Sequence, residues 1–354
     1  MDMMNHYIVK EDIESIANTD LPWENLKDCS VLITGANGYL ATYIVYTLLY
    51  RNDYYKDNIK VYALCRNRDK AFAKFSDYLG REDFELVIQD VCESIDDKYR
   101  ADYIIHAASP ANPYVMHTQP IDVIRANVFG YDNLLRKVVE WGAAKMILLS
   151  SVAVYGTSEG RSVLGDETYR GMIDFTDIKF NYGMCKQMCE MISAAYFQQY
   201  GVNICTVRPV IVYGPGMVFS QKKHVTDFIK NYLCDEDIIL KSTGDVVRSF
   251  VYIKDAIKGC FAVLMKGEQN EVYNISTETN ICSVKELANI FTGFEKKLKI
   301  EYQISEDEYL KSRFLELKIS NEKLRSLGWK EETSLKDGLW RTILWAQDVD
   351  FINL

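Results

Sequence analysis

The chain has 354 residues, of which 48% are hydrophobic and 26% are charged, a composition typical of a globular protein with one large domain or two closely joined ones. Its formal net charge of -9 argues against a nucleic-acid-binding surface, which needs clustered lysine and arginine. No apolar run approaches the roughly 20 residues that span a bilayer, and the polar start lacks the apolar core of a signal peptide. We therefore expect a cytoplasmic protein that binds neither nucleic acid nor a membrane.

The nine cysteines and four histidines are scattered along the chain. The closest cysteine pair, Cys185 and Cys189, has no further ligands nearby, whereas a zinc site needs them grouped. We therefore predict reduced thiols and no metal site.

Residues 1–28 form a polar N-terminal segment, with Pro22 and Trp23 marking where it docks on the body. From residue 29 apolar strands alternate with amphipathic helices, which predicts a doubly wound parallel sheet covered on both faces, a Rossmann fold. The strands are carried by six segments: SVLIT, IKVYALCRN, FELVIQDV, ADYIIHAASP, AKMILLSSVAVYG and GVNICTVRPVIVYGPG. After Gly216 the rhythm changes to shorter mixed elements. We expect a cofactor-binding domain over residues 29–216 and mainly a smaller C-terminal substrate lobe over 217–354.

A glycine-rich turn follows the first strand and opens a helix. Gly35 suits a tight turn, Gly38 lets the backbone approach a pyrophosphate, and Ala41 keeps the helix close to the sheet. The free N–H groups and positive dipole end of the helix, near Asn37, Tyr39 and Leu40, suit phosphates. This context predicts a dinucleotide site.

The end of the second strand selects between NAD and NADP, because an acidic residue there holds a ribose 2′-hydroxyl and an arginine accommodates a 2′-phosphate. The chain has Arg66 and no acid until Asp69, which favours NADP, although Arg66 can also stack on adenine with either cofactor. Other cofactor contacts are expected after later strands: Asp90 and Val91, Ala107, Ala108 and Ser109, and Pro209 and Val212.

A candidate proton-transfer group follows the fifth strand. Tyr182 and Lys186 lie four residues apart, on one face of a helix, about thirty residues after Ser151. The ammonium group and an oxidised nicotinamide lower the tyrosine pKa, so the phenolate can take a proton from a sugar hydroxyl that Ser151 holds. The alternative is a surface tyrosine and lysine at chance spacing.

These motifs together resemble the NAD-dependent epimerase/dehydratase family, the extended short-chain dehydrogenases. The resemblance covers about residues 28–342 and rests on TGANGYLA, SSVAVYG, YGMCK, RPVIVYGPG, RSFVYIKDA and EVYNIS. It implies a Rossmann domain with a small substrate lobe, a nucleotide-sugar substrate, and a homodimer formed through a helix bundle. It also implies that Arg248 holds the substrate diphosphate, since its fork suits that anion. Asn181 and Tyr213 are expected to line the sugar pocket.

The sequence defines the type of reaction less clearly than it defines the family. Family dehydratases usually carry an acid after the catalytic serine, and UDP-glucuronate decarboxylases commonly do as well. This chain has Val152 and Ala153 there, which cannot move protons. SSVAVYG resembles the 4-epimerases, while HAASPANP (106–113) resembles the UDP-glucuronate decarboxylases. We give more weight to the missing acid and favour an epimerase that works through a transient keto sugar. An NADPH-dependent keto-sugar reductase, a decarboxylase or dehydratase, and an inactive cofactor-binding sensor are the alternatives.

Overall fold

A computed structural model describes residues 5–157, 162–221, 224–304 and 316–349. Its strands, in chain order, are β1 (Ser30–Thr34), β2 (Lys60–Cys65), β3 (Phe84–Ile88), β4 (Tyr103–His106), β5 (Lys145–Leu149), β6 (Ser162–Gly165), β7 (Ile204–Pro209), β8 (Ile211–Tyr213), β9 (Ile238–Leu240), β10 (Val247–Tyr252), β11 (Val272–Ile275), β12 (Ile281–Ser283), β13 (Ile300–Tyr302) and β14 (Glu316–Ile319).

The helices are α1 (Tyr7–Ala17), α2 (Tyr39–Tyr55), α3 (Arg68–Phe75), α4 (Pro113–Thr118), α5 (Pro120–Ile124), α6 (Gly130–Trp141), α7 (Asn181–Tyr200), α8 (His224–Cys234), α9 (Ile253–Lys266), α10 (Val284–Thr292), α11 (Glu322–Ser326) and α12 (Leu335–Asp348). A π-helical turn, Arg125–Phe129, joins α5 to α6. Within the described ranges, no helix is long and apolar enough to cross a membrane.

The larger sheet has seven parallel strands in the order β3-β2-β1-β4-β5-β7-β11. Alternate residues of the five inner strands enter two separate cores, because successive side chains of a strand point to opposite faces. On β1, for example, Val31 and Ile33 pack with α2 on one face, while Leu32 packs with α6 on the other. The predicted doubly wound Rossmann fold is confirmed.

The described residues also form two smaller sheets. One contains β12, β10, β14 and β6, with β8 paired to β10, and the other contains β13 and β9. The chain also returns to the large sheet after residue 216, because β11 pairs in parallel with β7. The predicted lobe over residues 217–354 therefore contributes one strand to the cofactor-binding sheet.

The N-terminal segment is more ordered than its polar composition suggested. Helix α1 buries Ile8, Val9, Ile13 and Ile16, which recur at helical spacing on one face. Beyond it, Trp23 is 5% exposed and its ring lies 5.0 Å from that of Phe261 on α9. The segment is thus part of the main core rather than an appendage.

Candidate active site

The glycine turn between β1 and α2 has the geometry that a dinucleotide requires. Gly35 has a φ of 65°, and a Cβ atom there would lie 2.7 Å from Ala108 Cα, so no other residue fits without a shift. Gly38 is the N-cap of α2 and donates its backbone N–H to Gly35 O at 2.8 Å. The α2 N-terminus faces a cavity through Gly38, Tyr39 and Leu40. Half-buried Asn37 is in the turn itself. The described residues therefore fit a dinucleotide phosphate.

This cavity, about 620 Å³ in volume, opens at the carboxyl ends of the parallel strands, where ligands bind in open α/β sheets. Its lining brings together many of the predicted residues: Gly38, Tyr39, Leu40, Ala107, Ser109, Ser151, Tyr182, Lys186, Pro209, Val212 and Arg248. Its other described lining residues include Asn112, Met217, His224 and Phe250. None of the described lining residues is an aspartate or glutamate.

The Tyr182 phenol lies against two serine hydroxyls. Burial raises the pKa of Tyr182 to about 12, while hydrogen bonds with Ser151 and Ser109 act in the opposite direction. Ser109 is itself fixed, because its Oγ donates to Asn127 Oδ1 at 2.9 Å. In this resting arrangement the phenol is protonated at neutral pH and hydrogen-bonded to both serines.

Lys186 is a buried basic residue beside Tyr182. It is 1% exposed, its Nζ donates to Leu149 O at 2.9 Å, and it lies 5.8 Å from the centroid of the Tyr182 ring. Burial lowers the pKa of Lys186, since desolvation disfavours the charged form. A positive charge this close stabilises the Tyr182 phenolate.

His106 lies at the end of β4, close enough to Lys186 of α7 to be affected by its charge. Its Nδ1 lies 2.8 Å from Thr34 Oγ1, and Ala108 N donates to the same hydroxyl at 3.3 Å. Complete burial, with a smaller contribution from the Lys186 charge, lowers the pKa of His106 to about 3. The ring is therefore neutral at physiological pH and braces the strand end.

Arg66, Asp90 and Val91, which the sequence predicts to contact the cofactor, lie outside the cavity lining. The side chain of Arg66 is 69% exposed, and its Nη1 is 3.8 Å from Asp90 Oδ2. Asp90 Oδ1 accepts the backbone N–H of Cys92 at 2.9 Å, and Val91 is buried against Gly130. Arg66 is thus open to a ligand at the end of β2, while Val91 has a packing role.

The predicted substrate residues divide into two groups. Arg248, on β10, lines the cavity and donates to Val247 O at 2.9 Å, and burial lowers its pKa. Asn181 is outside the lining, because its Nδ2 donates to Pro120 O at 3.0 Å. Tyr213 is fully buried and donates to Leu335 O at 3.3 Å, so its hydroxyl points into the core instead of a sugar pocket.

Sequence reasoning also missed residues of the cavity. His224, at the start of α8, lines the cavity, whereas the preceding Lys222 and Lys223 lie outside the described residues. Met217 and Phe250 complete an apolar wall. No local pattern marks them, because they meet the cofactor turn only through the tertiary fold.

A Rossmann sheet, a glycine turn at a helix start and a Ser/Tyr/Lys group beside it define a short-chain dehydrogenase type of protein. The profile of the NAD dependent epimerase/dehydratase family matches residues 31–276, and the chain belongs to that family.

Known proteins similar to this chain fall in the same family. UDP-glucuronic acid decarboxylase 6 of Arabidopsis thaliana is 29% identical over 313 residues, covering 87% of this chain and 86% of the relative. The solved structure of Thermotoga maritima UDP-glucose 4-epimerase with UDP-glucose matches with a TM-score of 0.74 at 22% identity, over 89% of this chain and 98% of that one. The Bacillus anthracis dTDP-glucose 4,6-dehydratase in complex with NAD matches with a TM-score of 0.74 at 21% identity, over 90% and 96%. These structural similarities support the fold.

Proposed function

We propose that the chain is an NAD(P)-dependent enzyme that acts on a nucleotide-activated sugar, as an epimerase that works through a transient keto sugar. The sugar and nucleotide classes come from the relatives, whose names specify UDP and dTDP sugars. The reaction type comes from the cavity, where Ser151, Tyr182 and Lys186 adjoin the turn that suits a dinucleotide.

In this proposal the chain's own residues hold the substrate and move one proton. Ser151 orients a sugar hydroxyl towards Tyr182, whose phenolate takes the hydroxyl proton and later returns it. Lys186 stabilises the phenolate, and Arg248 pairs with the diphosphate. The turn at Gly35 and Gly38 would hold a nicotinamide cofactor, which would supply reversible hydride transfer at the carbon that bears this hydroxyl. Tyr182 serves both directions, because one group can act as base and then as acid.

One observation carries the choice of an epimerase. The position where a dehydratase needs an acid is occupied by a short 3-10 helix, Val152–Tyr155, and Ala153 N donates to Ser151 Oγ at 3.2 Å. The described cavity lining supplies no carboxylate from elsewhere. Removal of a proton from a carbon therefore lacks a carboxylate base, whereas epimerisation needs only the hydroxyl proton, the hydride and room for the keto sugar to turn.

The second candidate is oxidative decarboxylation of a nucleotide-activated uronic acid. It is favoured by the similarity to UDP-glucuronic acid decarboxylase 6 over most of both chains. A keto group next to the carbon that carries a carboxylate makes loss of carbon dioxide possible without a carboxylate base. Only Arg248, Lys186 and His224 would then attract the substrate acid among the described lining residues.

We further propose a preference for NADP, because exposed Arg66 lies at the end of β2, where a 2′-phosphate is accommodated. The similar Bacillus anthracis protein was solved with NAD, so the preference would be a property of this chain.

A second copy of the chain is the proposed partner. Phe129, Met188 and Met191 are exposed apolar side chains on the π-helical turn and on α7, two elements that pack together, and they suit a helix-bundle homodimer.

The test is mass spectrometry of a panel of nucleotide sugars incubated with the enzyme and each cofactor. An isomer of unchanged mass supports the epimerase. Loss of carbon dioxide establishes the second candidate, and loss of water contradicts the argument from Ala153. Tyr182→Phe is the matched control, because it removes only the hydroxyl that moves the proton.

A further inference from the structure

Three successive residues at the end of β5 each contact one of three residues spaced four apart on α7. Two of these contacts have been described above: Leu149 with Lys186, and Ser151 with Tyr182. The third joins Ser150 Oγ to Glu190 Oε1 at 2.6 Å, one helical turn beyond Lys186. Glu190 therefore shares the helix face of the proton-transfer residues without touching the cavity.

Glu190 is fixed by a buried arginine from the neighbouring strand. Arg208, on β7, donates from Nε to Glu190 Oε1 at 3.0 Å and from Nη2 to Oε2 at 2.5 Å. The Glu190 side chain is 13% exposed and the Arg208 side chain is 6% exposed. The arginine is in turn held by Tyr155 OH and Glu167 O, at 3.0 and 3.1 Å from Nη1. A bidentate pair of this kind has one geometry and leaves α7 little freedom to slide along the sheet.

The pair also governs the charge around Lys186. The groups that act on the Lys186 ammonium are the Cys189 and Cys185 thiols and the Glu190 carboxylate, and none of the described carboxylates forms an ion pair with it. On its other side lies neutral His106. Because Glu190 is paired with Arg208, its charge opposes that of Lys186 less than an unpaired carboxylate would. The other groups facing that phenol are the Ser151 and Ser109 hydroxyls and the same two thiols.

We propose that Glu190, neutralised by Arg208, is a positioning residue of the proton-transfer site, which fastens the catalytic helix to the strand end and leaves the Lys186 charge free to act on Tyr182. This inference rests on the proposed role of Tyr182 in proton transfer. It adds a charge-balancing pair outside the cavity to the three residues within it.

The decisive variant is Glu190→Gln, which keeps the shape of the side chain and leaves the Arg208 charge unbalanced. Tyr182 and Glu190 are eight residues apart on α7, about 12 Å at the rise of an α-helix. An unbalanced positive charge at about that distance, at an effective dielectric constant of about 20, lowers the phenol pKa by about one unit. The alkaline midpoint of Tyr182 ionisation should move to lower pH by that amount. The double variant Glu190→Gln/Arg208→Gln removes both charges and should return the midpoint to its original value.

A matched control is Asp57→Asn. It breaks another buried ion pair, Arg51 Nε to Asp57 Oδ2 at 2.5 Å, at the far end of α2. Its loss of thermal stability should resemble that of Glu190→Gln, but the Tyr182 midpoint should not move.

The measurement is the near-ultraviolet phenolate absorbance of each protein as a function of pH with oxidised cofactor bound, minus that of the same protein carrying Tyr182→Phe. The titration itself needs no sugar substrate. An acid shift in Glu190→Gln that the double variant reverses supports the proposal, and the same midpoint in Glu190→Gln and Asp57→Asn overturns it. If Tyr182→Phe leaves the phenolate titration of the parent protein unchanged and turnover survives, the proposed function fails. That result differs from an unmoved Tyr182 midpoint in Glu190→Gln, which overturns only the role of Glu190.

Discussion

Removing the Lys186 charge should slow proton transfer by a predictable factor. Its Nζ lies 5.8 Å from the centroid of the Tyr182 ring. At that distance and an effective dielectric constant of about 20, two unit charges interact by about 3 kcal/mol, equivalent to about two pKa units. Lys186→Met removes this stabilisation of the phenolate. At neutral pH the phenolate fraction, and with it kcat/KM, should fall about 100-fold.

The assay is the pH dependence of kcat/KM for Lys186→Met and for the charge-retaining control Lys186→Arg. The Met variant should lose activity at neutral pH and recover part of it as pH rises, with its midpoint moved upward by about two units. Lys186→Arg should keep the original midpoint even if packing lowers its maximum rate. The electrostatic reasoning is refuted if the midpoint of Lys186→Met equals that of the parent, because the lysine would then act through its hydrogen bond to Leu149 O alone.

Three further predictions address the proton donor, the cofactor and the fold. Tyr182→Phe should abolish turnover while the cofactor still binds with unchanged affinity in calorimetry; full activity would remove the mechanism. Arg66→Asp should weaken NADP binding by 10-fold or more and NAD binding far less, and equal losses would end the case for NADP. The pKa of His106 is about 3 in the folded chain against 6.5 for a free histidine, so the unfolded chain gains a proton first as pH falls. The free energy of unfolding should therefore drop by up to about 1.4 kcal/mol per pH unit between these values. In thermal melting, the stability of His106→Gln should fall less steeply with decreasing pH than that of the parent. An equally steep fall in both proteins would contradict a buried neutral ring.

Local patterns predicted the cofactor side of the molecule because each feature lies within a few residues. The turn from Gly35 to Gly38 predicts both the strand before it and the helix after it. Glycine is needed at Gly35 because its φ is positive and a Cβ atom there would lie 2.7 Å from Ala108 Cα. The spacing of Tyr182 and Lys186 on one helix is equally local. Helix α1 could also have been predicted from the sequence, because Ile8, Val9, Ile13 and Ile16 have the spacing of one helix face.

Long-range partners account for what the sequence did not reveal. Tyr213 is a polar aromatic residue near the cavity strands, but its hydroxyl bonds to Leu335 O, a partner 122 positions away. Glu190 and Arg208 are 18 positions apart on different elements, and only the packing of α7 against β7 makes them a pair. His224 reaches the cavity because α8 folds over it. None of these positions differs from an ordinary core or surface residue in local sequence.

The most direct test of the central claim uses a nucleotide sugar labelled with deuterium at the carbon whose hydroxyl Tyr182 deprotonates. If hydride transfer and return produce the isomer, the product keeps the deuterium at that carbon and has the mass of the labelled substrate. If the product instead carries solvent hydrogen there, the carbon was deprotonated by a base, and the account of Ser151, Tyr182 and Lys186 as a hydroxyl-oxidising group is wrong.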